Sequence, residues 1–209
     1  MKFVLLVEGQ TERDVIPAFF KQWLDKQLKQ PVGIRIAAFD GYADLVAKIA
    51  NKARAYLKSP QQSEIVAVIA LIDLYGPTFY PPAKATADDR YDWAKDHFER
   101  QVNDSRFRMF LAMHECEAWL LSDPEIFPRE VRSALSDKFT NSPERVNFDE
   151  PPAKLLDRVY RQRLGHNYKK VTYGKQLFAK LKPEVARQKC PRLKMMLDEM
   201  LRLARDAGL

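Results

Sequence analysis

The clearest strand signal in the chain is the apolar run Ile65-Val66-Ala67-Val68-Ile69-Ala70-Leu71-Ile72, which Asp73 ends. The run does not alternate between polar and apolar residues, and this pattern is typical of a strand that is covered on both faces. Strands of this kind belong to parallel sheets that carry helices on either side. The run therefore predicts an α/β protein with a buried, mainly parallel sheet.

Three further segments predict the other strands of this sheet. They are Lys2–Val7, Ile34–Ala38 and Phe107–Met113. Between the strands, apolar residues recur at helical spacing, which predicts helices over 15–28 and 46–57. A third helix is predicted to begin at the capping box Thr86-x-x-Asp89 and to end near Val102. This alternation predicts a three-layer sandwich around a four-stranded sheet.

The pattern changes near residue 125. Residues 1–125 carry the strand–helix alternation and are predicted to form the core of the protein. Residues 126–209 are predicted to form a basic helical region that packs on this core. Within it, residues 133–147 are polar and weakly patterned, which predicts an exposed excursion.

The charge of the chain is unevenly distributed. The net charge is +7, but residues 151–209 alone hold 15 Lys and Arg against 5 Asp and Glu, a balance of +10, while residues 1–150 have a balance of −3. An acidic first part and a basic last part suggest a metal-binding half joined to a half that binds a polyanion. The alternative is that these basic side chains only solvate helix surfaces, and charge alone does not decide between the two.

Composition excludes several classes of protein. No apolar stretch approaches the roughly 20 residues that span a bilayer. The run from Phe3 to Val7 resembles the start of a signal peptide, but Glu8 ends it below the roughly 7–15 apolar residues of such a segment. Cys116 and Cys190 lie far apart, without metal-ligand spacing or a disulfide framework. These features predict a cytoplasmic protein that does not enter a membrane.

Acidic residues follow the three clearest strands. They are Glu8, Asp73 and the pair Glu115 and Glu117. In open parallel sheets, ligands bind beyond the carboxyl ends of the strands. Carboxylate oxygens are hard ligands that suit Mg²⁺ or Mn²⁺ rather than zinc. A single acidic residue after a strand is usually a turn former or a helix cap, but three coincident strand ends favour a metal site.

A family resemblance adds to this interpretation. The motif Val7-Glu8-Gly9-Gln10-Thr11-Glu12, which follows an apolar strand, resembles the first motif of Toprim domains, and its two glutamates have the spacing of the overcoming-lysogenization-defect (OLD) type of Toprim nuclease. Nearly the whole chain resembles small, standalone Toprim-like proteins of unknown function. The other segments that carry the resemblance are Ile72–Gly76, His114–Leu120, the Pro151-Pro152 turn and Tyr168–Gly174.

The resemblance implies a role for each matching residue. Glu8 and Glu12 would bind metal, and Glu8 would also act as a general acid or base. Asp73 matches the first aspartate of the D-x-D motif of the family, but Tyr75 replaces the second, so a two-metal site requires Glu115 or Glu117 as a substitute. Lys169 or Lys170 would neutralise the charge of the reacting phosphate, or would simply contact phosphate.

Two functional hypotheses follow. The first is a nuclease that needs Mg²⁺ or Mn²⁺ and cleaves DNA or RNA, which the resemblance connects with a partner ATPase and with defence against phage. The second is a nucleic-acid-binding or regulatory subunit that keeps a Toprim fold without catalysis. In either case the protein could form a homodimer. The residues predicted to contact the nucleic acid are Lys154, Arg158, Arg161, Arg163 and Lys175.

Other chemistries lack the motifs that they need. His114-Glu115 is not followed by a second histidine at the zincin spacing, so a zinc hydrolase is not predicted. The sequence also lacks a P-loop, a dinucleotide fingerprint and a nucleophile elbow. Tyr75, Phe79 and Tyr80 could stack on bases, although the prolines around them favour a loop that packs on itself.

Overall fold

The computed structural model describes residues 1–146 and 149–209, including all their side chains except those of Gln10 and Thr11. Four strands form one sheet: β1 (Lys2–Val7), β2 (Gly33–Ala38), β3 (Ile65–Asp73) and β4 (Phe107–Ala112). The strand order is β2-β1-β3-β4, and each neighbouring pair is parallel. The predicted α/β fold with a four-stranded, parallel sheet is thereby confirmed.

The helices follow the predicted alternation and then fill the C-terminal part of the chain. They are α1 (Gln10–Gln27), α2 (Gly41–Leu57), α3 (Ala87–Val102), α4 (Glu117–Leu121), α5 (Arg129–Arg132), α6 (Asp137–Asn141), α7 (Pro152–Leu164), α8 (Lys175–Lys180), α9 (Pro183–Lys189) and α10 (Pro191–Asp206), with a π-helical turn at Lys170–Gly174. Thr86 caps α3 through the predicted capping box with Asp89. No helix in the described part of the chain is both long and apolar enough to cross a membrane.

The sheet separates two apolar clusters, which makes the fold three-layered. Successive residues of a strand point to opposite faces, so Phe3 and Leu5 of β1 join one cluster while Val4 and Leu6 join the other. The first cluster contains side chains of α1, α4, α7, α8, α9 and α10. The second contains side chains of α2 and α3. Both faces of β3 are buried over its full length, as its unbroken apolar sequence predicts.

Aromatic contacts connect the first part of the chain to the C-terminal helices. The ring of Phe19 in α1 stacks on Trp119 of α4 at 5.9 Å and meets Phe178 of α8 edge-on at 5.8 Å. These three side chains belong to one apolar cluster. The helices beyond residue 125 therefore complete the layer that α1 begins, while the domain boundary at residue 125 stays a prediction.

The prediction of an exposed excursion over residues 133–147 is wrong for much of that segment. The segment contains α6 and a 3₁₀ turn at Pro143–Arg145, and Thr140, Glu144 and Val146 are buried. The reason is a long-range contact: the Glu144 carboxylate accepts hydrogen bonds from the backbone N–H groups of Arg192 (2.8 Å) and Leu193 (3.1 Å) in the first turn of α10. The last residue of the predicted excursion, Asn147, lies outside the described residues.

Candidate metal centre

The carboxyl ends of β1, β3 and β4 meet at one edge of the sheet. Val7, the last residue of β1, pairs with Leu71 of β3, and Asp73 pairs with Ala112, the last residue of β4. The residues that follow these ends in the sequence are therefore brought together, as the sequence predicts. Glu8 follows β1, Asp73 closes β3, and the segment 114–117 follows β4.

Asp73 is the common member of two groups of potential metal ligands. Its carboxylate lies within 4.8 Å of ligand atoms of Glu12 and Cys116 in one group, and of Glu115 and Glu117 in the other. Asp73 is buried, and its Oδ1 accepts a hydrogen bond from the backbone N–H of Cys116 at 3.1 Å. This bond fixes the carboxylate between the two groups.

Glu12 reaches the site from the first turn of α1, across Gly9. A side chain at position 9 would begin only 2.6 Å from Oε2 of Glu12, so glycine leaves the space that this carboxylate occupies. Glu12 is 9% exposed and makes no hydrogen bond or ion pair with any residue that the structure describes. Oε2 of Glu8 is likewise buried without a hydrogen-bond partner among those residues. Oε2 of Glu8 and the carboxylate of Glu12 thus reach this edge without a hydrogen-bond donor among the described residues.

Glu115 and Glu117 are held by a lysine and by a helix terminus. Lys170 Nζ lies 2.9 Å from Oε1 of Glu115 and 3.2 Å from Oε2 of Glu117. Oε2 of Glu115 accepts a hydrogen bond from the backbone N–H of Ala153 (2.7 Å) in the first turn of α7. Lys169, the other lysine predicted for this role, is exposed and makes no ion pair within the described residues.

A strained turn delivers these two glutamates to the site. His114 has a left-handed backbone with a φ of 63°, which is uncommon for a residue other than glycine. Its carbonyl accepts a hydrogen bond of 2.8 Å from the backbone N–H of Tyr75. Backbone strain of this kind persists only where the surroundings enforce it, and it concentrates at functional sites.

Burial, with a contribution from neighbouring negative charge, raises the pKa values of Glu8, Asp73 and Glu117. Burial raises the pKa of Glu8 from 4.5 to about 7, and the charge of Glu12 adds to the shift. Burial and then the charge of Glu8 raise the pKa of Asp73 well above its usual value. Burial raises the pKa of Glu117 to about 6, although Lys170 opposes the change. Burial alone would lower the pKa of Lys170, but the charges of Glu117, Asp73 and Glu115 outweigh it and raise the pKa.

These shifts predict an unusual pH dependence of stability for the metal-free protein. Carboxyl groups whose folded-state pKa is raised keep their protons to a higher pH in the folded state than in the unfolded state. Their contribution to stability is complete below about pH 4.5 and is lost as the pH rises through about 7, the pKa of Glu8. His114 acts in the opposite direction, because burial lowers its pKa. The test is therefore a comparison with Glu8→Gln.

In EDTA, we expect the melting temperature of the wild type to fall relative to that of Glu8→Gln between pH 5 and pH 7.5. Thermal unfolding followed by circular dichroism measures this difference. Saturating Mn²⁺ should remove the fall, since metal binding displaces the protons. Parallel curves for the two proteins in EDTA would show that the Glu8 carboxyl titrates like an exposed one.

Tyr75 stands where the resemblance leads one to expect a second aspartate. It is half-buried, and its hydroxyl accepts a hydrogen bond from Lys154 Nζ at 3.1 Å. The same ammonium lies 5.4 Å from the centre of the tyrosine ring. Lys154 belongs to the first turn of α7, next to the residue whose N–H binds Glu115. Phe79 and Tyr80 instead pack against each other at 4.5 Å and against Trp93 of α3.

The basic residues predicted to contact nucleic acid differ in how far they are already paired. Arg158 is held by Glu150 at 2.9 Å, and Arg161 forms an ion pair with Asp157. Arg163 and Lys175 are exposed and have no ion-pair partner in the described part of the chain. Arg158 and Arg161 therefore keep less free positive charge for a polyanion than Lys154, Arg163 and Lys175 do.

Sequence patterns did not identify two groups that contribute to the site. One is Cys116, whose Sγ lies within 4.8 Å of carboxylate oxygens of Glu12 and Asp73. Its position between Glu115 and Glu117 is the signal that could have identified it. The other is the N–H of Ala153, which no sequence pattern marks because backbone groups carry no side-chain signature.

The donor set fits a hard divalent cation. Five carboxylates surround the sheet edge, of which Glu12, Asp73, Glu115 and Glu117 are buried. Among the described residues, Lys170 forms ion pairs with Glu115 and Glu117, and no lysine or arginine pairs with the other three. Burying so much negative charge is unfavourable without a further cation. The buried, unpartnered Oε2 of Glu8 is an oxygen that a metal would satisfy. Mg²⁺ and Mn²⁺ prefer ligands of this type.

Comparison with known proteins gives a family and two distant structural likenesses. The family described as "Domain of unknown function (DUF4276)" matches residues 7–201. The C-terminal region of the Burkholderia pseudomallei OLD protein is 18% identical, with a TM-score of 0.44, over 95% of this chain and 98% of that one. The C-terminal region of the Xanthomonas campestris pv. campestris OLD protein is 19% identical, with a TM-score of 0.47, over 98% of this chain and 94% of that one. No curated protein gives a significant match.

Proposed function

The chain belongs to the family described as "Domain of unknown function (DUF4276)", and we propose that it is a divalent-metal-dependent phosphodiesterase of the Toprim type that cleaves DNA or RNA. The observation that carries the proposal is the gathering of five carboxylates at one sheet edge, where Lys170 is the one lysine that pairs with any of them among the described residues. Such an excess of buried negative charge suits a site that takes up cations together with a phosphate.

In this proposal Glu8, Glu12 and Asp73 hold the metal. Glu12 has no hydrogen-bond or ion-pair partner among the described residues, and Oε2 of Glu8 has none either, so these groups are available to a cation. Asp73 is oriented by the N–H of Cys116. A bound Mg²⁺ or Mn²⁺ would supply Lewis-acid polarisation of the phosphodiester. Glu8, which is the more exposed of these acids, is assigned the role of accepting or returning the proton of the attacking water.

Lys170 takes the place that a second metal has in a two-metal site. Its ammonium bridges Glu115 and Glu117, which belong with Asp73 to the second group of potential ligands. A lysine there compensates the two glutamates and brings a positive charge to the phosphate without a further ion. The substitution of Tyr75 for an aspartate agrees with this arrangement, since one metal needs fewer carboxylates than two.

The substrate is proposed to lie along the side of the site formed by α7 and the turn before α8. Lys154, Arg163, Lys169 and Lys175 are exposed and form no ion pair with a carboxylate among the described residues, so they can contact phosphates. Contacts of this kind release counterions, and binding should therefore weaken steeply as salt concentration rises. A partner ATPase, a role in phage defence and a homodimer remain proposals that rest on the resemblance.

The experiment that tests this function is a cleavage assay with the purified protein. Supercoiled plasmid, single-stranded DNA and structured RNA are incubated with Mg²⁺, with Mn²⁺ and with EDTA. We expect cleavage of at least one substrate with either metal and none in EDTA. Cleavage that persists in EDTA would exclude the proposed chemistry.

One observation favours the second function, a binding subunit without catalysis. Lys170 already pairs with both Glu115 and Glu117, which reduces the ligand set that is free for metal. A protein of this kind would bind nucleic acid with steep salt dependence but leave every substrate intact with Mg²⁺ and Mn²⁺. That combination would replace the nuclease proposal with this one.

A further inference from the structure

Cys116 lies among carboxylates rather than only among apolar side chains. Its Sγ and one carboxylate oxygen each of Glu12 and Asp73 all lie within 4.8 Å of one another. Cys116 is 3% exposed, and its backbone N–H donates a hydrogen bond of 3.1 Å to Oδ1 of Asp73. Three potential ligand atoms, one of them sulfur, therefore converge on a single point next to the sheet edge.

A second observation points to a ligand at this place. Glu12 is more than nine-tenths buried, and its carboxylate has no hydrogen bond or ion pair with the residues that the structure describes. Its Oε2 lies where a side chain at Gly9 would otherwise begin. Lys170 compensates Glu115 and Glu117, whereas no lysine or arginine in the described part of the chain pairs with Glu12. Burying a charge without a partner is unfavourable, so a cation bound next to the Glu12 carboxylate would stabilise the protein.

We propose that Glu12, Asp73 and Cys116 form a site for one borderline or soft divalent cation, of the class to which Zn²⁺ and Cd²⁺ belong. Two carboxylate oxygens and one thiolate are a ligand set that such ions accept. On binding, the sulfur–metal bond forms and the thiol proton leaves to solvent, so the step needs no oxidant or reductant. Mg²⁺ binds sulfur ligands weakly, so the thiol should raise the affinity of the Glu12–Asp73–Cys116 site for the softer ions relative to Mg²⁺.

The ordinary role of a buried cysteine is that of a small apolar residue, and Cys190 illustrates it. Cys190 is buried, as Cys116 is, and neither cysteine forms a disulfide within the described residues. Within the described residues, however, Cys190 belongs to no group of three potential ligands. The two cysteines thus form a matched pair, in which one has a cluster of carboxylates around its sulfur and the other does not.

The inference has a consequence that rests on the proposed function. Asp73 belongs to both ligand groups and is also proposed to hold the catalytic metal. A Zn²⁺ ion bound through Cys116 would occupy Asp73 and exclude the productive metal. Zn²⁺ should therefore inhibit the cleavage that Mg²⁺ supports, and addition of a zinc chelator should restore it.

The direct test is a titration of the full-length, metal-free protein with Cd²⁺. A cadmium–thiolate bond gives an ultraviolet charge-transfer band, and we expect this band to saturate at one equivalent in the wild type and in Cys190→Ser. Cys116→Ser should lose the band. Glu12→Gln, which keeps the thiol and the side-chain volume, should keep the band but bind Cd²⁺ at least about tenfold more weakly.

Each other outcome overturns the inference. The band could be absent from the wild type, could depend on Cys190, or could be as strong in Glu12→Gln with unchanged affinity. If Cys116→Ser does not fold, the Glu12→Gln titration still decides. Failure here is separate from failure of the proposed function: a cadmium–thiolate band without nucleic-acid cleavage supports the site alone, and Mg²⁺-dependent cleavage without the band supports the nuclease alone.

Discussion

Replacing Asp73 with asparagine is expected to abolish metal-dependent cleavage while making the metal-free protein more stable. The asparagine keeps the size of the side chain and an oxygen that can accept the hydrogen bond from Cys116, but it removes the charge that holds the metal. A loss of about 4 kcal/mol in stabilisation of the transition state corresponds to a roughly thousandfold slower reaction. Removing a carboxyl group whose charge is disfavoured by burial and by the charge of Glu8 should raise the melting temperature in EDTA by roughly 2–4 °C, which is about 1 kcal/mol.

The opposite signs of the two effects separate a catalytic defect from misfolding. Initial cleavage rates with Mn²⁺ and thermal unfolding in EDTA measure them on the same preparations. Asp96→Asn is a matched control, because Asp96 is an exposed acid on α3 whose one ion-pair partner within the described residues is Arg100. It should leave the cleavage rate unchanged. Cleavage by Asp73→Asn at more than a tenth of the wild-type rate would remove Asp73 from the proposed site.

Replacing Lys170 with methionine is expected to change both stability and the number of metals bound. Methionine keeps an unbranched apolar side chain that is one atom shorter, but it leaves Glu115 and Glu117 without their cation. Breaking a fully buried ion pair costs about 3–5 kcal/mol. Since the Lys170 side chain is 38% exposed, solvent screening reduces the expected loss in EDTA to about 2 kcal/mol. Cleavage should slow by roughly 100- to 1000-fold, because a positive charge next to the phosphate is lost.

Calorimetric titration with Mn²⁺ tests the idea that Lys170 replaces a metal. The wild type is expected to bind one Mn²⁺, whereas Lys170→Met should bind two, the second on Asp73, Glu115 and Glu117. Lys169→Met is the matched control, since the neighbouring lysine is exposed and has no ion pair among the described residues. It should bind one Mn²⁺ and keep its stability. An unchanged stoichiometry in Lys170→Met would mean that the lysine does not stand in for a metal.

The sheet and most helices could be predicted from the sequence because local patterns determine them. The unbroken apolar run of β3 is buried on both faces, and the capping box at Thr86 begins α3 as expected. The segment 133–147 could not be predicted in the same way. Its burial depends on Glu144, whose partners are two backbone N–H groups near residue 192. A polar residue that caps a distant helix has the same local appearance as a polar residue in solvent.

The candidate site was partly predictable for a topological reason. In a parallel sheet the carboxyl ends of neighbouring strands share one edge, so Glu8, Asp73 and the residues after β4 had to lie together once the strands were assigned. Contacts made by the C-terminal helices follow no such rule. The sequence did not distinguish Lys169 from Lys170, because the difference lies in which ammonium reaches Glu115 and Glu117. The sequence also did not identify Cys116 as a potential ligand, because its sulfur joins a ligand group only through its proximity to Glu12 and Asp73, which lie on other elements.

The most direct test of the central claim is a crystal of the protein soaked in Mn²⁺ and measured at a wavelength where manganese scatters anomalously. We expect one anomalous peak at the sheet edge, in contact with carboxylate oxygens of Glu8, Glu12 and Asp73, while Lys170 remains on Glu115 and Glu117. Ligand distances should be close to the roughly 2.0–2.2 Å typical of oxygen bound to small, hard divalent ions. The absence of a peak among these carboxylates, or a peak only elsewhere on the surface, would contradict the assignment of this edge as a metal centre.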